Sequence, residues 1–380
     1  MSFSISFPNS NLNSTDGELS GLFIKSFAFV EDINKMYAGA KLILKDVSAS
    51  LRNSLYLGQD VTFSFVSSDN ITYKNYMRIL SIVPVTENQE LVNELEVTLI
   101  SNWYFENFTG TQMHTGSVGS IIRSICERRK KSRIFEIYDI LSTDDDIRIR
   151  YQTKEKTQDF MKRLVPFGTI QSMPVYLYSD CKGSFNLKGL STFASSSAKI
   201  VFIPDLVKDL EETSIQAIAN NGMTAIRLND YHTTLALQGT TSREREAFLT
   251  SHFISTKDLT SSVTYHNAET SNAKIKKSSP ANYRCWNWNY LPQDAQALSS
   301  YDYFQTNINA FTLTGTFLGN SISFLNLGDK VRVLLPTSSS NINDILTSSA
   351  SPNYIITHIE RKYINTQEMT SFKGALVNYG

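Results

Sequence analysis

The 380 residues are 41% hydrophobic and 19% charged, the composition of a soluble globular chain long enough for two or three domains. Lys and Arg total 36, as do Asp and Glu, so the formal net charge is zero. That balance argues against a nucleic-acid binder working by phosphate neutralisation, and it removes the repulsion that keeps copies and partners apart. Cys126, Cys181 and Cys285 show neither zinc-site spacing nor a disulfide framework, so buried free thiols in a reducing compartment are expected. The N-terminus lacks the basic and apolar regions of a signal peptide, and no apolar run reaches the roughly 18 residues that span a bilayer. A chain made in a cytoplasm, without stable membrane association, is expected.

The first hundred residues alternate in strand fashion. Phe3, Ile5 and Phe7 share one face, as do Leu42 and Leu44, and Val61 to Phe65 and Leu95 to Leu99 repeat the period of two. Polar breaks separate these runs, which predicts a small barrel or sandwich. The period then changes. Val118, Ile121, Ile122, Ile125 and Cys126 recur at helical spacing, with Thr115 or Ser117 available as N-cap and Arg128, Arg129, Lys130 and Lys131 at the C-terminal end. Cations there suit the helix dipole, which is preferred to a phosphate-binding reading. A strand at Ile147 to Tyr151 leads to a second helix, capped by Thr157, built on Phe160, Met161, Leu164 and Val165 and stopped by Pro166. A hairpin follows, Val175 to Tyr178 against Phe185 to Leu187, around a turn containing Asp180 and Gly183.

Strands return at Ala225 to Leu228 and Leu235 to Leu237, and again at Phe311 to Phe317, Val331 to Leu335, Tyr354 to Tyr363 and Met369 to Val377, with a Gly328-Asp329 turn among them. The expected fold class is therefore mainly β with α+β insertions: two similar β-barrel domains, the second split, plus a small α+β domain. The expected boundaries are 1–105 for the N-terminal barrel, 106–204 for the α+β domain, 205–240 with 301–380 for the second barrel, and 241–300 for the inserted segment.

Motifs for catalysis are missing. Neither phosphate-loop pattern occurs, nor HExxH, nor GxSxG, and His114, His232, His252, His266 and His358 lack ligand spacing. Asp144-Asp145-Asp146 lacks the spaced ligands of a calcium loop and reads as a solvated turn. No enzyme activity, metal or cofactor is expected. The cluster around Arg284, Trp286, Trp288 and Tyr290 could stack on sugars or bases. Arg and aromatics also dominate protein–protein interface cores, and these four are the interaction candidates.

In the order of its parts the chain resembles the central hub protein of contractile phage baseplates, the T4 hub subunit family, and the hub half of type VI secretion spike proteins. The resemblance is carried by Gly116-Ser117-Val118-Gly119-Ser120-Ile121-Ile122, by Tyr151-Gln152 ahead of Thr157-Gln158-Asp159-Phe160-Met161-Lys162-Arg163-Leu164, and by Leu313-Thr314-Gly315-Thr316 and Leu327-Gly328-Asp329-Lys330-Val331. It implies a structural protein of the virion tail: a homotrimer whose six barrels join a six-fold tail tube to a three-fold spike around a channel for DNA passage. The partners implied are the tail tube protein, a separate spike protein, and baseplate wedge or tape-measure proteins. No repetitive needle follows the last barrel strands, so the spike is expected on another polypeptide. Rival readings are the tail-tip hub of a non-contractile phage, a cell-wall hydrolase, and a carbohydrate-binding adhesin using Trp286 and Trp288.

Overall fold

The computed structural model describes residues 3–7, 18–19, 24–46, 50–66, 70–87, 90–104, 109–130, 137–171, 173–204, 216, 218–235, 311–334, 353–364 and 367–376. Its architecture is mainly β, with sheet that curls as a half-barrel and few helices, the expected fold class.

The N-terminal part runs β1 (Phe3–Ser6), β2 (Glu18–Leu19), β3 (Ile24–Asp32), β4 (Gly39–Lys45), the short α1 (Ser50–Ser54), β5 (Asp60–Val66), β6 (Thr72–Glu87) and β7 (Glu90–Ser101). These strands lie antiparallel in the order β3-β4-β7-β6-β5-β1-β2. The alternation read from the sequence is the reason. Ala40, Leu42 and Leu44 of β4, Val61, Phe63 and Phe65 of β5, and Leu95, Val97 and Leu99 of β7 all turn into one core, while their neighbours face out. Phe27, Phe29, Phe63 and Phe65 pack there as tilted, stacked and edge-on rings with centroids 5.7–6.4 Å apart.

The middle part comprises β8 (Thr109–Gly116), α2 (Val118–Lys130), β9 (Ile137–Ile140), β10 (Arg148–Lys156), α3 (Thr157–Leu164), β11 (Thr169–Ile170), β12 (Met173–Ser179), β13 (Ser184–Gly189) and α4 (Leu190–Ser195). β8 and β10 form a two-stranded ribbon, and β11-β12-β13-β9 a small second sheet. The helical stripe read at Val118 to Cys126 packs with Phe160, Met161, Leu164, Phe185 and Leu187 in a second core. Gly119 is required by close approach, because a Cβ there would lie 2.5 Å from the Leu141 carbonyl.

Two local expectations are corrected. Thr157 does not cap α3: Lys156 occupies the N-cap without a side-chain bond, and the Thr157 hydroxyl instead accepts from buried Gln152 Nε2 at 3.2 Å. The Asp144–Asp146 run is not wholly solvated either. Asp145 is half-buried and accepts the Val118 N–H at 2.9 Å, while Thr143 Oγ1 accepts from Gly119 N at 2.8 Å. The first turn of α2 is thus capped from 25 residues or so downstream. The basic end of that helix serves its own fold. Arg128 donates to Gln112 Oε1 (2.7 Å), and Arg129 donates to the Asn102 carbonyl and lies over the Trp103 ring.

The last part contains β14 (Ile200–Pro204), β15 (Thr224–Leu228), β16 (Asp230–Leu235), β17 (Phe311–Leu318), β18 (Lys330–Val333), β19 (Asn353–Ile364) and β20 (Gln367–Leu376). β15, β14 and β18 are parallel neighbours; β18, β19, β20, β17 and β16 continue the sheet antiparallel. Phe202 stacks on Phe372 with centroids 4.4 Å apart at the heart of the third core. Gly328 takes φ +83° in the turn before β18 and sits against the Phe193 ring, where a side chain has no room.

β19 joins the two β parts into one sheet. It pairs with β20 on both sides of a register shift between Ile356 and His358. Before that shift its other edge holds β18; after it, the same edge holds β3 from the N-terminal part. A bulge lets one strand change partner without ending.

Candidate functional site

A charged side chain in the inward phase of a strand has to find partners inside the fold, so such charges mark where separate parts of the chain are held together. Along β3 the inward residues are Phe27, Phe29 and Glu31, and along β19 they are Ile359, Arg361 and Tyr363. Each strand thus places one charge in the phase of its apolar face. The β3–β19 register sets Glu31 opposite Ile359, which makes Arg361 its diagonal neighbour on the same face.

The two charges meet. Arg361, 5% exposed, donates to the carboxylate of Glu31, 1% exposed. It also donates to Ser321 Oγ at 3.0 Å and to the Leu325 carbonyl at 2.8 Å, while Thr370 Oγ1 donates to the same Ser321 oxygen at 3.0 Å. The second oxygen of Glu31 accepts the backbone N–H of Cys181 at 2.7 Å. Cys181 belongs to the β12–β13 turn, so one carboxylate touches all three parts of the molecule. Burying such a pair is costly unless its remaining hydrogen-bonding capacity is used, as it is here.

The turn itself is organised by Asp180, whose carboxylate accepts from Lys182 N (3.0 Å), Ser184 N (2.9 Å) and Asn186 Nδ2 (3.0 Å). Gly183 supplies the left-handed φ of +78°. From β6, Asn75 Nδ2 donates to the Asp180 carbonyl at 3.0 Å. Asp180 keeps part of its surface exposed at the tip of the turn, yet it is densely surrounded by protein. Burial and the nearby negative charge of Glu31 push its carboxyl up to about 6. Burial, together with Asp180, Glu31, Asp329 and Asp139, also raises the Tyr178 hydroxyl well above its ordinary value.

Further bonds cross the same junction. Ala38 N donates to Ser179 Oγ (2.6 Å), Ile33 N to the Thr357 carbonyl (2.8 Å), Asn320 Nδ2 to the Val66 carbonyl (2.9 Å) and Lys330 Nζ to the Ala194 carbonyl (3.1 Å). His358 lies beside Asp32 with Nδ1 3.4 Å from its carboxylate.

The outer face of the β8–β10 ribbon differs in character. Met113, Ile149 and Tyr151 are exposed there, with Met113 paired to Tyr151 across the strands and Ile149 beside Thr115. Ile147 continues the row at 78% exposure. Arg163 donates to the Tyr151 carbonyl at 2.8 Å, which occupies part of the free edge of β10 and leaves the face as the accessible surface.

Arg284, Trp286, Trp288 and Tyr290 lie outside the described residues, as do Cys285 and the inserted segment 241–300. Cys126 and Cys181 are buried free thiols. Among the described residues no cluster of His, Cys, Asp and Glu has the makings of a metal site, and no helix is long and apolar enough to cross a membrane. The junction was missed in the sequence reading, although Glu31 and Arg361 left a signal: a charge in the inward phase of an otherwise apolar strand.

No protein-family model and no curated protein sequence matches the chain. Solved structures do. A tail protein from Neisseria meningitidis superposes with a TM-score of 0.55 at 9% identity, over 98% of this chain and 96% of that one. The 43 kDa tail protein of prophage MuSo2 from Shewanella oneidensis gives 0.53 at 8% identity, over 98% and 96%. A component of the E. coli type VI secretion system gives 0.49 at 12% identity, over 94% and 74%. The chain therefore has the fold of phage tail proteins over nearly its whole length, the fold that the resemblance in its sequence implied.

Proposed function

We propose that the chain is the central structural hub of a phage-type tail baseplate, working as a homotrimeric ring. In this reading residues 1–105, and 205–240 with 301–380, supply the ring, and 106–204 form an α+β domain beside it. Three chains present six barrel-like units, which meet a six-fold tail tube on one side and a three-fold spike on the other, around a channel for DNA. A separate spike protein and wedge or tape-measure proteins complete the assembly in the virion tail. The observation that carries this reading is the fold shared end to end with two tail proteins. The buried Glu31–Arg361 junction supports it, since a symmetry adaptor has to hold its modules rigidly. The role is non-enzymatic.

The test is to image tails purified from virions with a tag on this chain. Label at the tube's distal end, in three copies, is the expected result; label along the tube, in the head, or absent from particles contradicts it. The same image separates the runner-up, a tail-tip hub of a non-contractile tail, by whether a sheath surrounds the tube.

A further inference from the structure

In the buried junction two carboxylates, Glu31 and Asp180, lie near one another. Arg361 of β19 is committed to Glu31 of β3. Asp180 is held by two backbone amides and Asn186 in a crowded turn. The cation nearest in sequence, Lys182, places its Nζ 5.0 Å from the centre of the Tyr73 ring and only partly offsets the burial and the Glu31 charge at Asp180. The other titratable groups around the turn are Tyr178 and Cys181 on the same hairpin, Asp139 on β9 paired with Lys188 of β13, and Asp329 before β18 with Lys199 and Lys182 near it. Tyr178 and Cys181 are neutral at ordinary pH, and each of the two aspartates has lysine charge beside it, so Glu31 is the carboxylate that acts on Asp180. A charged Asp180 is therefore docked against Glu31 at a cost that a neutral one escapes, and that cost disappears if the turn lifts away into water.

We propose that the β12–β13 turn is a proton-sensitive latch, holding the α+β part on the two β parts more tightly when Asp180 is neutral than when it is charged. Geometry makes the turn the right place. It is bonded to β3 through Cys181 N, to β6 through the Asp180 carbonyl, and to β4's lead-in through Ser179 Oγ. The direction follows from linkage. A carboxyl that ionises near 6 in the docked turn and near 3.8 in water binds its proton more tightly when docked. Docking is then favoured at low pH, weakens as pH rises through about 6, and is constant above. Between pH 5 and pH 8 the docking equilibrium changes about tenfold. The latch belongs to the single chain and stands whether or not the hub reading does.

Cys181, buried within the latch, is a built-in reporter. The full chain is reacted with 4,4′-dithiodipyridine at pH 5 and pH 8, and modification of Cys181 is followed by peptide mass spectrometry. Its rate is divided by that of the urea-unfolded chain at the same pH. The expected result is an opening constant about tenfold larger at pH 8, and a flat profile in Asp180→Asn. Asp139→Asn, which removes a neighbouring surface carboxylate, keeps the pH dependence. Opening constants within twofold of each other in the unaltered chain would overturn the proposal without need of any variant. A profile unchanged in Asp180→Asn would overturn it equally.

Discussion

Replacing Arg361 by Met tests the junction where it is most exposed to error. Met fills most of the space of the Arg stem and removes the guanidinium alone. Glu31, 1% exposed, then keeps its charge and the Cys181 N–H but loses its counter-ion, and the Leu325 carbonyl loses a donor. Breaking one side of a buried pair costs about 3–5 kcal/mol. With an m-value of about 3 kcal/mol/M in urea, the midpoint falls by about 1 M or more at pH 8. Glu31→Gln in the same chain removes the orphaned charge, so the double variant is expected to be more stable than Arg361→Met alone. Urea unfolding followed by tryptophan fluorescence and by circular dichroism measures all of these. A loss under about 1 kcal/mol, or a double variant no better than the single one, refutes the reasoning.

Two further outcomes are expected. Gly328→Ala forces a side chain into a left-handed turn against the Phe193 ring and costs more than about 1 kcal/mol, read as a lower thermal midpoint. Ile149→Lys on the exposed ribbon face leaves stability within about 0.5 kcal/mol, while recovery of the chain in assembled tails falls if that face meets a partner; unchanged recovery removes the ribbon from the interface.

What the sequence made legible was local. Period-two alternation found β4, β5, β7 and β17 to β20, helical spacing found α2 and α3, and Asp180 with Gly183 marked the hairpin turn. Each of those signals comes from residues within a few positions of one another. β8, Thr109–Gly116, went unread because its glycines and threonines show no apolar face of their own; His114 is its inward residue, stacked on Phe160 at 4.8 Å. The Asp145 cap and the Gln152–Thr157 bond were missed because each side chain serves a backbone or hydroxyl that only folding brings near. The junction was the least legible part. Glu31 and Arg361 are 330 residues apart, and nothing local says that β3 will pair with the second half of β19. Their visible mark was the inward phase of each charge, which is ambiguous until the partner strand is known.

The most direct test of the hub account is the mass of the purified full chain by light scattering, with electron microscopy of the same sample, alone and with the spike protein. A ring of three 42.8 kDa chains with an open centre is the expected result. Monomers or closed dimers in both conditions would contradict it.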